Sequence, residues 1–490
     1  NFGPIPVNGF NGTNPEFNDV KTVYYHVLAE LADASQKLDI NVQNPSGLDK
    51  QDPAFGYNYA KWRKYANSLR MRLAMRLSEV DAAKAKTEFE AVMTSAGASN
   101  DFITGMDESF QVQERDGWSD LSGVMSRPWN AQPISATINN LMIGLGGIKS
   151  ADLLAPKFQP YIKPANFLGQ SYPEQFATKT NAPGAGFWLN GLPEVIDPRA
   201  YVLFSIPGDV ENPNFPDQNE DDLLTVRNLR DAAGNNIKAI DAKYSWNARI
   251  NGAWGPKTAL NQVYNFTGAM PRLNMQFRTS TNKRVFFGPW ETYFLIAEAA
   301  VRGWNTPMTA QAAYETAIQK SFQYNGAQLG GYLASESYNR VGTSVSWNHT
   351  TEPTSRVMEY EEGFTGTKRT ATVGYPKNDL YKNGAVKNDH LTKIITQKFI
   401  AQTPWLPLET WNDHRRTGLP FFENPAIEIP LQTLPALTDA TYMTSSVQFF
   451  PQRLRYPSSL KNTNAAGYGQ ALSDLGGKDE VLSPLWWAKK

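Results

Sequence analysis

Five carboxylates crowd one short stretch of this chain, Asp107, Glu108, Glu114, Asp116 and Asp120, with Trp118 among them and Trp129 just beyond. Carboxyl pairs beside aromatic rings are the equipment of a glycoside hydrolase, which needs two of them about 5.5 Å or roughly 6.5–9.5 Å apart across the scissile bond. Sequence spacing sets no such separation, and acidic residues in loops are ordinarily solvated. Other catalytic motifs fail on their own terms. Gly144-Leu-Gly-Gly-Ile-Lys149 lacks the third glycine of a dinucleotide loop, and no glycine precedes Lys149 as a P-loop requires. Gly169-Gln-Ser-Tyr-Pro173 and Gly342-Thr-Ser-Val-Ser346 both miss the closing glycine of a nucleophile elbow. His26, His349, His390 and His414 are scattered, without zinc-binding spacing. Asp217-Gln-Asn-Glu-Asp221 opens like a calcium loop, but Asp222 stands where glycine must turn the chain and Asn228 where a bidentate Glu must close it. The expectation is a protein that performs no chemistry and uses no cofactor and no metal.

Binding is the better reading. The 13 Trp are roughly twice average usage, and several lie in stretches rich in Gly, Pro and Asn. A flat ring can cover the apolar face of a sugar while Asn, Asp and Arg pair with its hydroxyls. The densest such combination is Asp116, Trp118, Arg127, Trp129 and Asn130; Trp188, and Trp246 with Trp254, come second. Forty-seven basic residues balance 47 acidic ones, which gives no electrostatic footprint for nucleic acid and argues for an uncharged or weakly charged ligand, local patches aside. The chain has no cysteine and no run of 18 apolar residues, so no disulfide and no membrane-spanning helix is expected. It opens at Asn1 with neither Met nor signal peptide, as a processed or trimmed chain would.

The elements that must position these residues are mostly helical. Asn18 or Asp19 can cap a helix whose apolar positions Val20, Val23, Val27, Leu31, Ala34 and Leu38 step by three or four. A second helix spans about 57–80, with Trp62, Ala66, Leu69, Leu73, Leu77 and Val80 as its stripe; a third covers roughly 82–96, and another 134–144. Pro289 opens a helix carrying Trp290, Phe294 and Glu298 on one face, and Thr306 and Pro307 start its hairpin partner. A carboxylate on a buried face needs a cation, for which Arg70, Arg72 and Arg76 are the candidates. Near the end, Leu391, Ile394, Ile395 and Phe399 form one stripe, Pro404 interrupts, and a short helix over about 408–416 ends at Gly418. Its Arg415 and Arg416 are expected to pair with Glu409 or Asp413. Beyond Pro420 the chain reads as mostly irregular.

Five segments resemble, in order, the SusD/RagB family of outer-membrane nutrient-binding lipoproteins. They are 59–73 (YAKWRKYANSLRMRL), Asp197-Pro-Arg199, Trp290 to Glu298 (WETYFLIAE), Gln397-Lys398 through Trp411 to Arg415-Arg416, and Arg453-Leu-Arg-Tyr-Pro457 followed by Asn462. The resemblance implies a mostly α fold, a tetratricopeptide-like scaffold of helix pairs with large irregular loop-rich insertions. The helical scaffold would occupy about 18–97, 284–324 and 389–418, and the ligand-binding part about 98–283 and 325–388, within one unit of 1–490. It also implies a non-catalytic, surface-exposed lipoprotein of the outer membrane that binds a glycan and delivers it to a SusC-like TonB-dependent transporter. Its lipid would sit on a cysteine upstream of Asn1. Peptide capture by a member of the same family, and glycoside hydrolysis, are the alternatives.

Overall fold

The computed structural model describes residues 1–10, 12, 14–43, 47–96, 101–113, 132–217, 220–248, 263, 266–279, 281–378, 387–428, 437–445 and 447–489. Three helices open the scaffold: α1 (Val20–Lys37), α2 (Tyr59–Arg76) and α3 (Ala82–Ala96). Asp19 and Asn58 cap the first two by accepting from the amides of Thr22 and Lys61. The α1 stripe is rotated from the expected one: Leu28, not Val27, is fully buried, and the other apolar positions except Val20 are half-covered. Helix α2 has α1 on one side and α3 on another, so it also buries Asn67, Ser68 and Arg72. A short helix α4 (Ala136–Met142) follows, capped by Ser135.

The later helices pack back onto these. Pro289 does open α5 (Pro289–Val301), because proline at a first helical position loses no hydrogen bond. Its partner α6 is Ala310–Asn325, capped by Thr309, so it begins three residues after Pro307. Helix α7 (His390–Gln402) lies against α5, and α8 (Pro407–Thr417) returns beside α2. Gly418 ends α8 at φ +79°, as its position after Arg416 suggests. The tail is less irregular than expected, since α9 (Ala465–Asp474) is helical. No helix among the described residues is long and apolar enough to cross a membrane.

Buried ion pairs join the helices. Arg72 of α2 holds Glu291 of α5 through two contacts of 2.6 and 2.7 Å, and Arg76 pairs with Glu409 of α8. Glu298 takes none of the expected partners. It accepts instead from Arg416, 118 residues ahead, at 2.5 and 2.9 Å, and from Arg302 at 3.0 Å. Burial alone would raise the Glu298 carboxyl, but these guanidinium groups hold it below its usual range. Arg416 also meets Asp413 at 2.9 Å, and Lys398 meets Asp413 at 2.8 Å. Arg415 donates to Gln452 O and Asn1 Oδ1 and stacks on Trp411, so Arg416 alone of the pair fulfils the expected contact with Asp413. A second cluster joins Asp197 and Arg199, both fully buried, to Gln397 and Tyr332.

The first residues of the chain lie along the tail. Asn1 O accepts from the Leu454 amide at 3.0 Å, Phe2 O from Arg453 Nε at 2.8 Å, and Pro4 O from the Tyr456 hydroxyl at 2.5 Å. The described residues also form a four-stranded sheet of β1 (Phe167–Ser171), β2 (Phe187–Trp188), β3 (Ser355–Glu362) and β4 (Lys368–Gly374), ordered β4-β3-β1-β2. Strands β3 and β4 form a hairpin running from the pair Ser355–Gly374 to Glu361–Lys368, and β1 joins β3 in parallel.

Candidate ligand-binding cleft

Among the sequence-derived candidates, Asp116, Trp118, Arg127, Trp129, Asn130 and Trp254 lie outside the described residues. Trp188 and Trp246 are fully buried. Trp188 sits on β2 in a small core with Phe176, Leu229 and Ile240. Trp246 meets Tyr201 edge-on at 5.1 Å and donates from Nε1 to Asn139 Oδ1 at 2.8 Å. Neither ring turns an open face to a ligand. Trp246 borders a small hollow, about 30 Å³, with Asn247 and Arg340.

Two larger recesses, each about 310 Å³, open elsewhere. One, between α4 and the α7–α8 corner, is lined chiefly by apolar groups such as Ile134, Phe204, Leu273 and Phe399, with few partners for hydroxyls. The other carries Phe167, Tyr338 and Tyr375 together with Lys163, Arg340 and Arg356, which is the mixture a polyhydroxylated ligand needs. Sequence reasoning missed all six. None of the three rings is a Trp, and the one available signal, Tyr338-Asn-Arg340 inside a stretch of Ser, Gly and Asn, has no periodicity to mark it.

The walls of this cleft come from three distant parts of the chain sewn together by backbone bonds. Gly144 N donates to Val195 O at 2.8 Å and Arg340 N to Ile143 O at 3.1 Å. Gly144 stands at φ +85°, and a Cβ there would meet Tyr338 O at 2.5 Å, so the close approach needs glycine. Buried Asn339 fixes the turn between Tyr338 and Arg340. Its Nδ2 donates to Leu141 O, and its Oδ1 accepts from the amides of Val341 and Thr343. Arg356, at the start of β3, spreads its guanidinium 4.7 Å from the Tyr375 ring centroid.

Behind the cleft, polar contacts lead from Tyr338 into the scaffold. Tyr338 Oη donates to Thr351 O at 2.8 Å and lies 3.2 Å from His349 Nε2. His349 Nδ1 lies 3.0 Å from Ser344 Oγ, which accepts from Lys393 Nζ at 2.7 Å. Lys393, on α7, is fully buried among oxygens of Ser344 and Asn388, and burial pushes its ammonium down to about 7 despite Asp389 and Glu352 nearby.

Set beside known proteins, the chain matches the family model described as "SusD-like: Susd and RagB outer membrane lipoprotein" over residues 1–170 and 247–488. The Asp197-Pro-Arg199 segment falls between the matched spans. No curated protein matches the chain. Its fold is similar to that of a SusD homologue from Parabacteroides distasonis, with a TM-score of 0.69 and 23% identity over 99% of this chain and 78% of that one. It is also similar to a chitin-binding SusD homologue from Flavobacterium johnsoniae, with a TM-score of 0.59 and 22% identity over 100% and 77% of the two chains. A SusD homologue from Bacteroides thetaiotaomicron gives a TM-score of 0.61 and 20% identity over 100% and 78%.

Proposed function

Because the chain belongs to the SusD-like family of outer-membrane lipoproteins, we propose that it is a surface-exposed glycan-binding protein that passes its ligand to a SusC-like TonB-dependent transporter. The observation that carries the reading is the cleft, where Phe167, Tyr338 and Tyr375 stand against Lys163, Arg340 and Arg356 in a recess of about 310 Å³. Rings can lie on the C–H faces of a sugar while the cations and backbone groups meet its oxygens. The chitin-binding relative supports a carbohydrate rather than a peptide. Among the described residues lining the cleft there is one carboxylate, Glu194, and a glycosidase mechanism asks for two. Trp118, Trp129, Asp116, Arg127 and Asn130 remain the proposed contacts of the stretch before α4.

An open site of this kind implies Kd values of about 1 μM to 1 mM. Titration with an oligosaccharide panel, followed by Trp fluorescence and calorimetry, tests the reading. Tyr338→Ala and Tyr375→Ala should each weaken binding about tenfold or more. Saturable binding of peptides alone, or sugar cleavage abolished by Glu114→Gln or Asp116→Asn, would sink it.

A further inference from the structure

The chain is neutral as a whole, yet the cleft is not. Of the charged side chains lining it, Lys163, Arg340 and Arg356 are cations and Glu194 is the single anion. Glu194 is already engaged, with Lys149 Nζ at 3.5 Å and the Ala165 amide at 2.9 Å. The nearest carboxylates on the Tyr338 side do not neutralise the wall either. Glu352 accepts from the amides of Lys387 and Asn388, and Glu336 is exposed to solvent.

Arg356 is the most informative of the three. Its Nη2 donates to Arg340 O at 3.0 Å and its Nε faces Met358 Sδ at 3.1 Å. Among the described residues no carboxylate lies within 4.0 Å of its guanidinium. A partly desolvated guanidinium whose protein contacts are a carbonyl, a thioether, and the ring and hydroxyl of Tyr375 has given up water without gaining a carboxylate counter-charge. Its planar fork matches a carboxylate through two parallel hydrogen bonds, and low local dielectric strengthens that contact. Lys163, 5.8 Å from the Phe167 ring centroid, adds a second positive charge to the lining of the recess.

We propose that this cleft selects an acidic oligosaccharide, with Arg356 binding the carboxylate of a uronic acid unit and Tyr338 and Tyr375 covering the sugar rings. The proposal rests on the glycan-binding reading of the same cleft and can fail without it. The test is calorimetry with short oligomers of galacturonate, glucuronate and mannuronate, each beside its methyl ester, which keeps the shape and removes the charge. At least one acid should bind ten or more times tighter than its ester, and its affinity should fall as salt rises. In Arg356→Gln, with an unchanged thermal unfolding profile, the preference for acid over ester should vanish; Arg356→Lys should keep part of it. Equal binding of acid and ester, a preference that survives in Arg356→Gln, or no binding of any acid overturns the proposal. Neutral oligosaccharides that still bind, and lose affinity in Tyr338→Ala, would leave the glycan-binding reading standing; no binding of any sugar would remove both.

Discussion

Arg416 and Glu298, 118 positions apart in the chain, form a two-pronged ion pair at 2.5 and 2.9 Å, with both side chains almost wholly buried. Removing one partner leaves the other charged in a dry interior, so Arg416→Met should destabilise the fold by about 3–5 kcal/mol in urea unfolding. Arg416→Lys should recover only part of this, because one ammonium cannot serve Glu298 and Asp413 in the same planar geometry. A loss below about 1 kcal/mol in Arg416→Met would show that the pair does not hold the helices together.

Gly144 should tolerate no side chain. An added Cβ would collide with Tyr338 O at a φ that alanine rarely adopts, forcing the Tyr338 turn outward. Gly144→Ala should weaken ligand binding about tenfold or more while far-ultraviolet circular dichroism stays native, as expected when a 1.4 kcal/mol misplacement acts at the site. Unchanged affinity would place the binding surface away from this cleft.

Lys393 gives the protein a pH signature. Its ammonium titrates near 7 in the folded chain against an ordinary 10.5, the displacement coming from burial. Below pH 7 both states carry the charge and its burial penalty is fully present. Between pH 7 and 10.5 the unfolded chain holds the extra proton, so this residue makes stability rise with pH across that window. Comparing wild type with Lys393→Met in urea at pH 6, 7.5 and 9 should show wild type gaining relative to the variant as pH increases. A constant difference would mean that Lys393 stays charged when buried.

Trp246→Phe should separate structure from recognition. The substitution leaves Asn139 Oδ1 without its indole donor, at about 1–3 kcal/mol for a buried acceptor. Since the ring is fully buried, affinity for the ligand should stay within about twofold, a few tenths of a kcal/mol. A large loss of affinity with little loss of stability would return Trp246 to the binding surface.

The sequence made the scaffold readable wherever one residue type punctuates a helix for a local reason. Pro289 opens α5, Gly418 closes α8, and Asp19 caps α1, each through its own backbone chemistry. The sequence misled at the hairpin partner of α5: Thr306 with Pro307 reads as the start, whereas the chain caps α6 with Thr309, three residues on. The partner of Glu298 could not be read at all, because it depends on how α8 docks against α5, a tertiary fact. Helix α9 was hidden by Gly467 and Gly469, which weaken any helical pattern. Strand β4 is mostly exposed and β3 buries only Met358 fully, so the apolar alternation that marks a half-buried strand is faint. The cleft combines both difficulties: its cations and rings come from loops and strand ends that only the fold brings together, and an overall charge of zero concealed their local sign.

The hydrogen bonds that lay Asn1, Phe2 and Pro4 along Leu454, Arg453 and Tyr456 also have a mechanical meaning. A pull on anything attached ahead of Asn1 would not first straighten a slack leader. The load would pass at once into the Arg453–Tyr456 segment and, through the contact of Arg415 with Asn1, into α8. Tension entering at Asn1 would therefore be shared by the tail and α8, two segments more than 400 residues away along the chain, rather than borne by the first residues alone.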